Sequence, residues 1–249
     1  LIADSQNYRI RRVSASDGII TTIAGNGNNG FSGDGGLALA ASFSTVRGII
    51  ATASGDVLVS DSDNQRIRKI SPSGTISTVA GSGQYGHSGD GGALLSASFR
   101  RPSSLAFDRS GRLLVVEEFS YIRRVDLGAN TTSTVVGEPL SRNSFGGDGG
   151  PSALAGFNQL LSTAVDIAGN LYIAERNSNR VRKVDARSGV VSTLVQNVNV
   201  TGLSIDDSGR LLATSGSQVI SINPTTGAST VIAGTGLYDF VGDGGPALN

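Results

Sequence analysis

Short apolar runs, each a few residues long, recur along the whole chain and are separated by clusters of Gly, Asp, Asn and Ser. The stretch around residue 110 shows the pattern. Ser104-Leu105-Ala106-Phe107-Asp108 is followed by the turn Asp108-Arg109-Ser110-Gly111, with Asp first and Gly last as a type I turn prefers. Leu113-Leu114-Val115-Val116, Ile122-Arg123-Arg124-Val125 and Thr132-Ser133-Thr134-Val135-Val136 then complete a group of four runs with strand character. No segment carries a convincing amphipathic-helix period, so the chain reads as all-β.

The group of four repeats. Ile2-Ala3-Asp4-Ser5-Gln6-Asn7-Tyr8-Arg9-Ile10-Arg11-Arg12-Val13 aligns with Val59-Ser60-Asp61-Ser62-Asp63-Asn64-Gln65-Arg66-Ile67-Arg68-Lys69-Ile70. The match extends to Phe31-Ser32-Gly33-Asp34-Gly35-Gly36 against His87-Ser88-Gly89-Asp90-Gly91-Gly92. The turn glycines Gly55, Gly111, Gly169 and Gly209 are spaced by 56, 58 and 40 residues. The shortest spacing sets the minimal unit at about forty residues, the size of a four-stranded propeller blade. The longer copies therefore carry an inserted loop. The expectation is a β-propeller of about five blades in one domain, with units near 1–45, 46–101, 102–160, 161–199 and 200–249. A β-sandwich has similar strand spacing but does not demand identical punctuation at every fourth strand. Because residue 1 falls inside a second strand, the first blade is expected to hold three strands, which reads as an arc of a larger, six-bladed ring in preference to a five-fold ring closed with one thin blade.

Composition narrows the chemistry. The 249 residues include 35 Gly, no Cys and no Met, with 20 Lys+Arg against 20 Asp+Glu. Without cysteine, disulfides, thiol nucleophiles and zinc ribbons are excluded. Neutrality gives no general attraction to nucleic acid or to an anionic bilayer, and no apolar run reaches transmembrane length. Since residue 1 is not Met, the chain is expected to be part of something longer.

The repeated residues resemble the NHL-repeat family of β-propellers. An apolar strand ends in Ala-Asp or Ser-Asp, then comes Asn-x-Arg-Ile-Arg-Lys-Val, then Gly-x-Ile-x-Thr-Val-Ala-Gly. Asp4, Asn7, Arg9 and Ile10 fit this pattern, as do Asp61, Asn64, Arg66 and Ile67. The Ser-Gly-Asp-Gly-Gly stretch is similar to long-loop members of that family. The resemblance implies an interaction, adhesion or sensing module, with enzymes a minority. Three units depart from it. The third has Glu117-Glu118-Phe119-Ser120-Tyr121 where Asp, Asn and Arg are expected, the fourth lacks the long loop, and the fifth reads Ser215-Gly216-Ser217-Gln218.

Candidate site residues follow from the repeat. Asp34, Asp90, Asp148 and Asp243 sit in the long Gly-Asp-Gly-Gly loops, on the same side as the turns carrying Asn7 and Asn64. Together with His87 and Tyr85 they are the candidates for a binding face toward a protein partner or small ligand. The alternative role of the aspartates is to accept backbone N–H groups of their own loops. Arg9, Arg66 and Arg180 share one slot, and Arg11, Arg68, Arg123 and Arg182 another. Both slots are expected to pair with Asp4, Asp61 or Glu175 and not with nucleic acid. Asp108, Asp166 and Asp206 close the innermost strands and are weak candidates for a channel cation, the basis of a hydrolase or lyase reading. Each also belongs to an Asp-x-x-Gly turn.

Other motifs carry less. Gly25-Asn26-Gly27-Asn28-Asn29-Gly30 and its copy at Gly81 match a dinucleotide fingerprint, but no helix follows to receive a pyrophosphate. Asp61-Ser62-Asp63-Asn64 invites calcium, yet Arg66 and Pro72 stand where an EF-hand needs Gly and Glu. An irregular calcium site is the one cofactor left open, and no other is expected. His87 is the single histidine; its counterparts Phe31 and Phe145 point to a packing slot. Asn130-Thr131-Thr132 and Asn199-Val200-Thr201 match the glycosylation pattern and lean toward an extracellular or cell-surface setting.

Overall fold

A computed structural model describes residues 1–118, 120–137, 146–238 and 242–248. Among them the strands fall into five antiparallel meanders. The first holds β1 (Ile2–Asp4), β2 (Arg9–Val13) and β3 (Ile20–Ala24). The second holds β4 (Val46–Ala51), β5 (Val57–Asp61), β6 (Arg66–Ile70) and β7 (Ile76–Ala80). The third comprises β8 (Leu105–Phe107), β9 (Leu113–Glu117), β10 (Tyr121–Asp126) and β11 (Thr131–Val136). The fourth comprises β12 (Leu160–Val165), β13 (Leu171–Glu175), β14 (Arg180–Val184) and β15 (Val191–Gln196). The fifth comprises β16 (Val200–Ile205), β17 (Leu211–Ser215), β18 (Gln218–Ile222) and β19 (Ser229–Ala233). These are five blades of a β-propeller, four of them four-stranded and the first three-stranded. Helix is confined to single 3-10 turns, and no described helix is long and apolar enough to cross a membrane.

The chain divides into two compact units. One is Leu1–Leu105 with Arg112–Glu118 and Arg123–Thr134; the other is Ala106–Gly111 with Phe119–Ile122 and Val135–Asn249. In the first, Ile10, Phe43, Val46, Val59, Ile70 and Ile76 form a core between blades one and two. In the second, Tyr172, Val181, Val200, Leu211, Ile220 and Ile222 do the same between blades four and five. The second strands β5, β9 and β13 are buried along their whole length. A strand flanked on both faces needs apolar side chains at every position, which is why Val57-Leu58-Val59 and Leu113-Leu114-Val115-Val116 run on without alternation.

In blades one, two, four and five the third strand pairs with the fourth through one β-bulge. In blade two Ile67 faces Ala80 but Arg68 faces Thr78, leaving Val79 as the extra residue. The same step places Arg182 opposite Thr193 and Arg11 opposite Thr22. A bulge re-aims the side chains beyond it, and here it brings an arginine and a threonine side by side.

The inserted loops are not free projections. The Gly25 N–H donates to the Ala38 carbonyl at 2.9 Å, folding the first loop back on itself. Its far limb then lies along the outer edge of the next blade. Gly35 N–H donates to the Ile76 carbonyl at 2.8 Å, Ile76 N–H to the Gly36 carbonyl at 3.0 Å, and Ala38 N–H to the Gly74 carbonyl at 2.7 Å. Blades three and four receive the same strip, through Gly91 N–H on the Thr132 carbonyl and Gly149 N–H on the Val191 carbonyl, both at 2.8 Å. An outermost strand otherwise exposes unpaired backbone groups that invite aggregation, so each of these three long loops acts as a latch over the blade that follows.

The latch root tolerates no side chain. At Gly81 (φ +100) a Cβ would sit 2.3 Å from the Gln65 carbonyl oxygen, whereas at Gly74 (φ +81) nothing lies within 4 Å. Gly74→Ala is expected to cost about 1 kcal/mol for its left-handed backbone alone. Gly81→Ala adds a backbone clash and should cost clearly more, about 3 kcal/mol. Urea unfolding midpoints of the two variants check the order.

Candidate functional site

The bulge and the latch meet at one repeated cluster. In blade two the guanidinium of Arg68 is fully buried. It donates to the Ser42 carbonyl at 2.8 Å, the Ser32 carbonyl at 2.7 Å and Asp34 Oδ1 at 2.8 Å. Asp61, the last residue of β5, lies 3.6 Å away, and the Phe43 ring centroid is 5.0 Å from the guanidinium carbon. The second oxygen of Asp34 accepts the Thr78 hydroxyl at 2.6 Å. One loop aspartate thus joins an arginine of β6 to a threonine of β7.

Blades three and four repeat the arrangement. Arg123 donates to Asp90 at 2.5 Å and to the Ser98 carbonyl at 2.9 Å, with Glu117 at 3.6 Å and Phe99 at 4.9 Å. Arg182 donates to Asp148 at 2.6 Å and to Glu175 at 3.2 Å, with Phe157 at 4.8 Å. Thr134 N–H donates to Asp90 at 2.8 Å, and the Thr193 hydroxyl to Asp148 at 2.7 Å. A buried cation is tolerable only when it is paired and hydrogen-bonded, and each time two carboxylates, loop carbonyls and a ring face do this around the terminal guanidinium nitrogens.

Blade five lacks every part together. The register places Ile220 in the arginine slot, Ser215 in the acid slot and Val231 in the threonine slot, and the short 197–199 connection brings no loop aspartate. Blade one keeps Asp4, Arg11 and Thr22, but its arginine is 28% exposed and lies 3.7 Å from Asp4.

The sequence-derived candidates fall out as follows. Asp34, Asp90 and Asp148 clamp the next blade's arginine, and the backbone-turn role expected as their alternative is replaced by this longer reach. Asn64 donates to Asp61 and to the Gly30 carbonyl, each at 2.8 Å, and Asn7 donates to Asp4 at 2.8 Å. His87 faces Glu117 through Nδ1 at 3.1 Å and the Thr134 hydroxyl through Nε2 at 2.9 Å. It is therefore a polar member of the blade-three clamp in the slot where Phe31 covers Arg66 at 3.9 Å; Phe145 lies outside the described residues. Tyr85 is 61% exposed at the loop crest. Asp243 lies exposed in the last Gly-Asp-Gly-Gly turn.

The arginine slots separate. Arg11, Arg68, Arg123 and Arg182 pair with the strand-end acids, as expected for that slot. Arg66 instead donates to the Asn64 and Ser82 carbonyls. Asp108, Asp166 and Asp206 each accept donors of their own turns. Ser110 N–H serves Asp108; Asn170 and Tyr172 serve Asp166; Ser208 and Arg210 serve Asp206. No cluster of three or more metal-ligating side chains occurs among the described residues. Of the glycosylation sequons, Asn130 and Asn199 are both exposed, and the Asn130 side chain accepts the Leu94 N–H.

Two sets of residues escaped the sequence reading. Thr78, Thr134 and Thr193 had a signal, a threonine wherever an arginine occupies the slot and Val231 where Ile220 does. Arg101, which ties Asp63 at 2.6 Å to Glu118 at 3.1 Å, had none, because it occurs in one unit only.

The electrostatics of the clamp split by depth. Burial pushes Asp90 and Asp148 up, but hydrogen bonds from Thr134 and Thr193 and the charges of Arg123 and Arg182 outweigh it, leaving both below the usual carboxylate range. Burial pushes Asp61 and Glu175 above it, offset only in part by Ser44, Asn64 and Arg68 for the first and by Arg182 for the second. A depressed carboxylate stabilises the fold above its unfolded value of 3.8 and loses that contribution as pH falls through its folded value. A raised one contributes at low pH and loses it as pH climbs.

Two outcomes are expected. Asp90→Asn with Asp148→Asn should lower stability at neutral pH and flatten its decline below about pH 4, read from urea midpoints across the acid range. Arg182→Ile should cost about 3–5 kcal/mol by stranding Glu175. Adding Glu175→Ser, the combination blade five already uses, should recover more than half of that in the same assay.

No family model matches the sequence, and no curated protein matches it. Solved structures with a similar fold include a catalytically inactive virginiamycin B lyase from Staphylococcus aureus, at 14% identity and TM-score 0.58, over 91% of this chain and 63% of that one. A gluconolactonase from Xanthomonas campestris is similar at 12% identity and TM-score 0.63, over 92% and 69%. A chain of a nidogen/laminin complex is similar at 14% identity and TM-score 0.65, over 92% and 76%. The chain spans under two thirds of the streptogramin B and virginiamycin B lyases, 61% and 63% of their lengths. At these identities the likeness is one of fold, and it places this chain among β-propellers.

Proposed function

We propose that the chain is a non-catalytic interaction module of the NHL-repeat, long-loop type, binding a protein partner through the crests of its long loops. The observation that carries this reading is the use made of its polar chemistry. Three loop aspartates pair with three buried arginines, and His87 with Glu117 and Thr134, which favours a rigid scaffold over a reaction centre. In the first unit the crest above them offers Phe31 and Tyr85, 41% and 61% exposed, beside the amides of Asn28, Asn29 and Gln84. Exposed aromatics on a rigid support are the usual anchors of a protein interface, since they bring large contact area at little entropic cost. Similarity to a chain of the nidogen/laminin complex is consistent with such a role. The hydrolase or lyase reading draws on the fold shared with the lactonase and the lyases and has less support, because Asp108, Asp166 and Asp206 serve their own turns.

The test is a point change at the crest, since replacing a whole loop would remove a latch. A partner recovered with the wild-type chain and titrated by calorimetry should bind Tyr85→Ala about thirty-fold more weakly, near 2 kcal/mol for a central anchor. Unchanged affinity for both Tyr85→Ala and Phe31→Leu would exclude this face.

A further inference from the structure

Blade three departs from its neighbours at two linked positions. Its loop carries His87 where the loops into blades two and four carry Phe31 and Phe145. Its third strand, β10, opens with Tyr121 where β6 and β14 open with Arg66 and Arg180. An imidazole thus replaces a phenyl ring only in the blade whose strand has lost that arginine.

Both ring nitrogens of His87 are wired into the clamp. Nδ1 lies 3.1 Å from Glu117 Oε2, which also accepts the Arg100 N–H at 3.0 Å, and Nε2 lies 2.9 Å from the Thr134 hydroxyl. Thr134 gives its N–H to Asp90 Oδ2 at 2.8 Å. Arg123 donates to Asp90 Oδ1 at 2.5 Å, and its Nε is 3.6 Å from Glu117 Oε1. The side chains of Glu117 and Arg123 are fully buried, whereas His87 keeps 13% of its side-chain surface in solvent, which gives a proton access.

The cluster has two protonation states with different wiring. Asp90 and Glu117 against Arg123 leave one negative charge in excess. A neutral imidazole holds its proton on Nδ1 to serve Glu117, because the other tautomer aims a lone pair at a carboxylate; Nε2 is then an acceptor and takes the Thr134 hydroxyl proton. Asp90 Oδ2 keeps the Thr134 N–H but not the hydroxyl. A protonated imidazole balances the excess charge, donates from both nitrogens and turns the Thr134 hydroxyl toward Asp90. That is the wiring of the other two clamps, in which Thr78 and Thr193 donate their hydroxyls to Asp34 and Asp148 at 2.6 and 2.7 Å. Charge-assisted bonds are the stronger ones, so the proton tightens the hold on Asp90 and on the strip that follows it, where Gly91 N–H meets the Thr132 carbonyl at 2.8 Å.

We propose that His87 is a proton sensor that sets how firmly the second long loop is latched onto blade three. The latch gains from the proton, so its hold strengthens as pH falls through the imidazole range and is lost as pH rises again. Asp90, held below the usual carboxylate range, stays charged across that interval. Tyr85 stands two residues before His87 on the same loop, so the sensor regulates the crest, a step that rests on the interaction reading.

The experiment is amide hydrogen exchange of the whole chain, with each rate referred to its intrinsic value at that pH. Between about pH 7.5 and about pH 5.5, protection of Gly91 should rise about tenfold, the scale of one hydrogen bond to a charged group. Gly35 and Gly149, which make the same contact in the latches without histidine, should show no such step. His87→Phe, the residue type of the other two loops, should abolish the step at Gly91, with Gly35 and Gly149 reporting in the same sample that the variant is folded. A Gly91 response no different from that of Gly35 and Gly149, a comparison that needs no variant, would overturn the proposal, as would a step that survives His87→Phe. Titrated against a partner, the wild type should bind more tightly at the lower pH and His87→Phe equally at both. A Gly91 step together with unchanged affinity of Tyr85→Ala would count against the crest and leave the sensor standing.

Discussion

A guanidinium removed from water must have its charge balanced and its protons accepted, and in this protein that requirement is met by the preceding loop. Arg68, Arg123 and Arg182 are fully buried, yet the acid on the neighbouring strand is too few ligands for any of them. The missing acceptors come from a loop that has left one blade and not yet entered the next. Its aspartate, its carbonyls and its phenylalanine converge on the cation, and its backbone pairs with the outer strand beside it. Blade-to-blade cohesion therefore rests on a polar, directional contact as well as on the apolar cores.

That contact explains features that otherwise look unrelated. In blades one, two and four the bulge between third and fourth strands brings threonine level with arginine. The positive-φ glycines let the loop double back within the van der Waals distance of a carbonyl. Blade five is the internal control, because arginine, acid, threonine and incoming loop are all absent there while the sheet itself persists with Ile220 packed in the core. A buried ion cluster is often no more stabilising than an apolar replacement of the same volume. Specifying which loop lies on which blade is the role that best accounts for keeping it three times.

Fold was legible because short runs of strand-forming residues and an ordered set of turn residues recur along the chain. Leu113 to Val116 and Asp108 to Gly111 could be placed from their residue types alone. The slot shared by Arg11, Arg68, Arg123 and Arg182 was also readable, as was its pairing with strand-end acids. What could not be read was the reach of Asp34 to a strand more than thirty residues on, since loop composition specifies flexibility at glycine but not the surface on which the loop lands. The aspartates looked free for a ligand for that reason. His87 misled differently: alignment with Phe31 gave a packing position, and only the neighbouring Glu117, itself a departure from the repeat, makes the slot polar.

The clamp also constrains where function can lie. The loops of Asp34, Asp90 and Asp148 each give their acidic residue forward along the chain, so the blades they link are joined by nearest-neighbour terms in the manner of a repeat protein. A residue that serves such a term cannot vary without loosening the next blade. In the interaction role proposed above, binding specificity would fall to positions outside it, at the crest, where Asn29 and Tyr85 occupy equivalent places in successive loops and differ in size, polarity and hydrogen bonding. A scaffold of this kind can change its partner by changing those side chains while the arginine cluster a few residues away stays as it is.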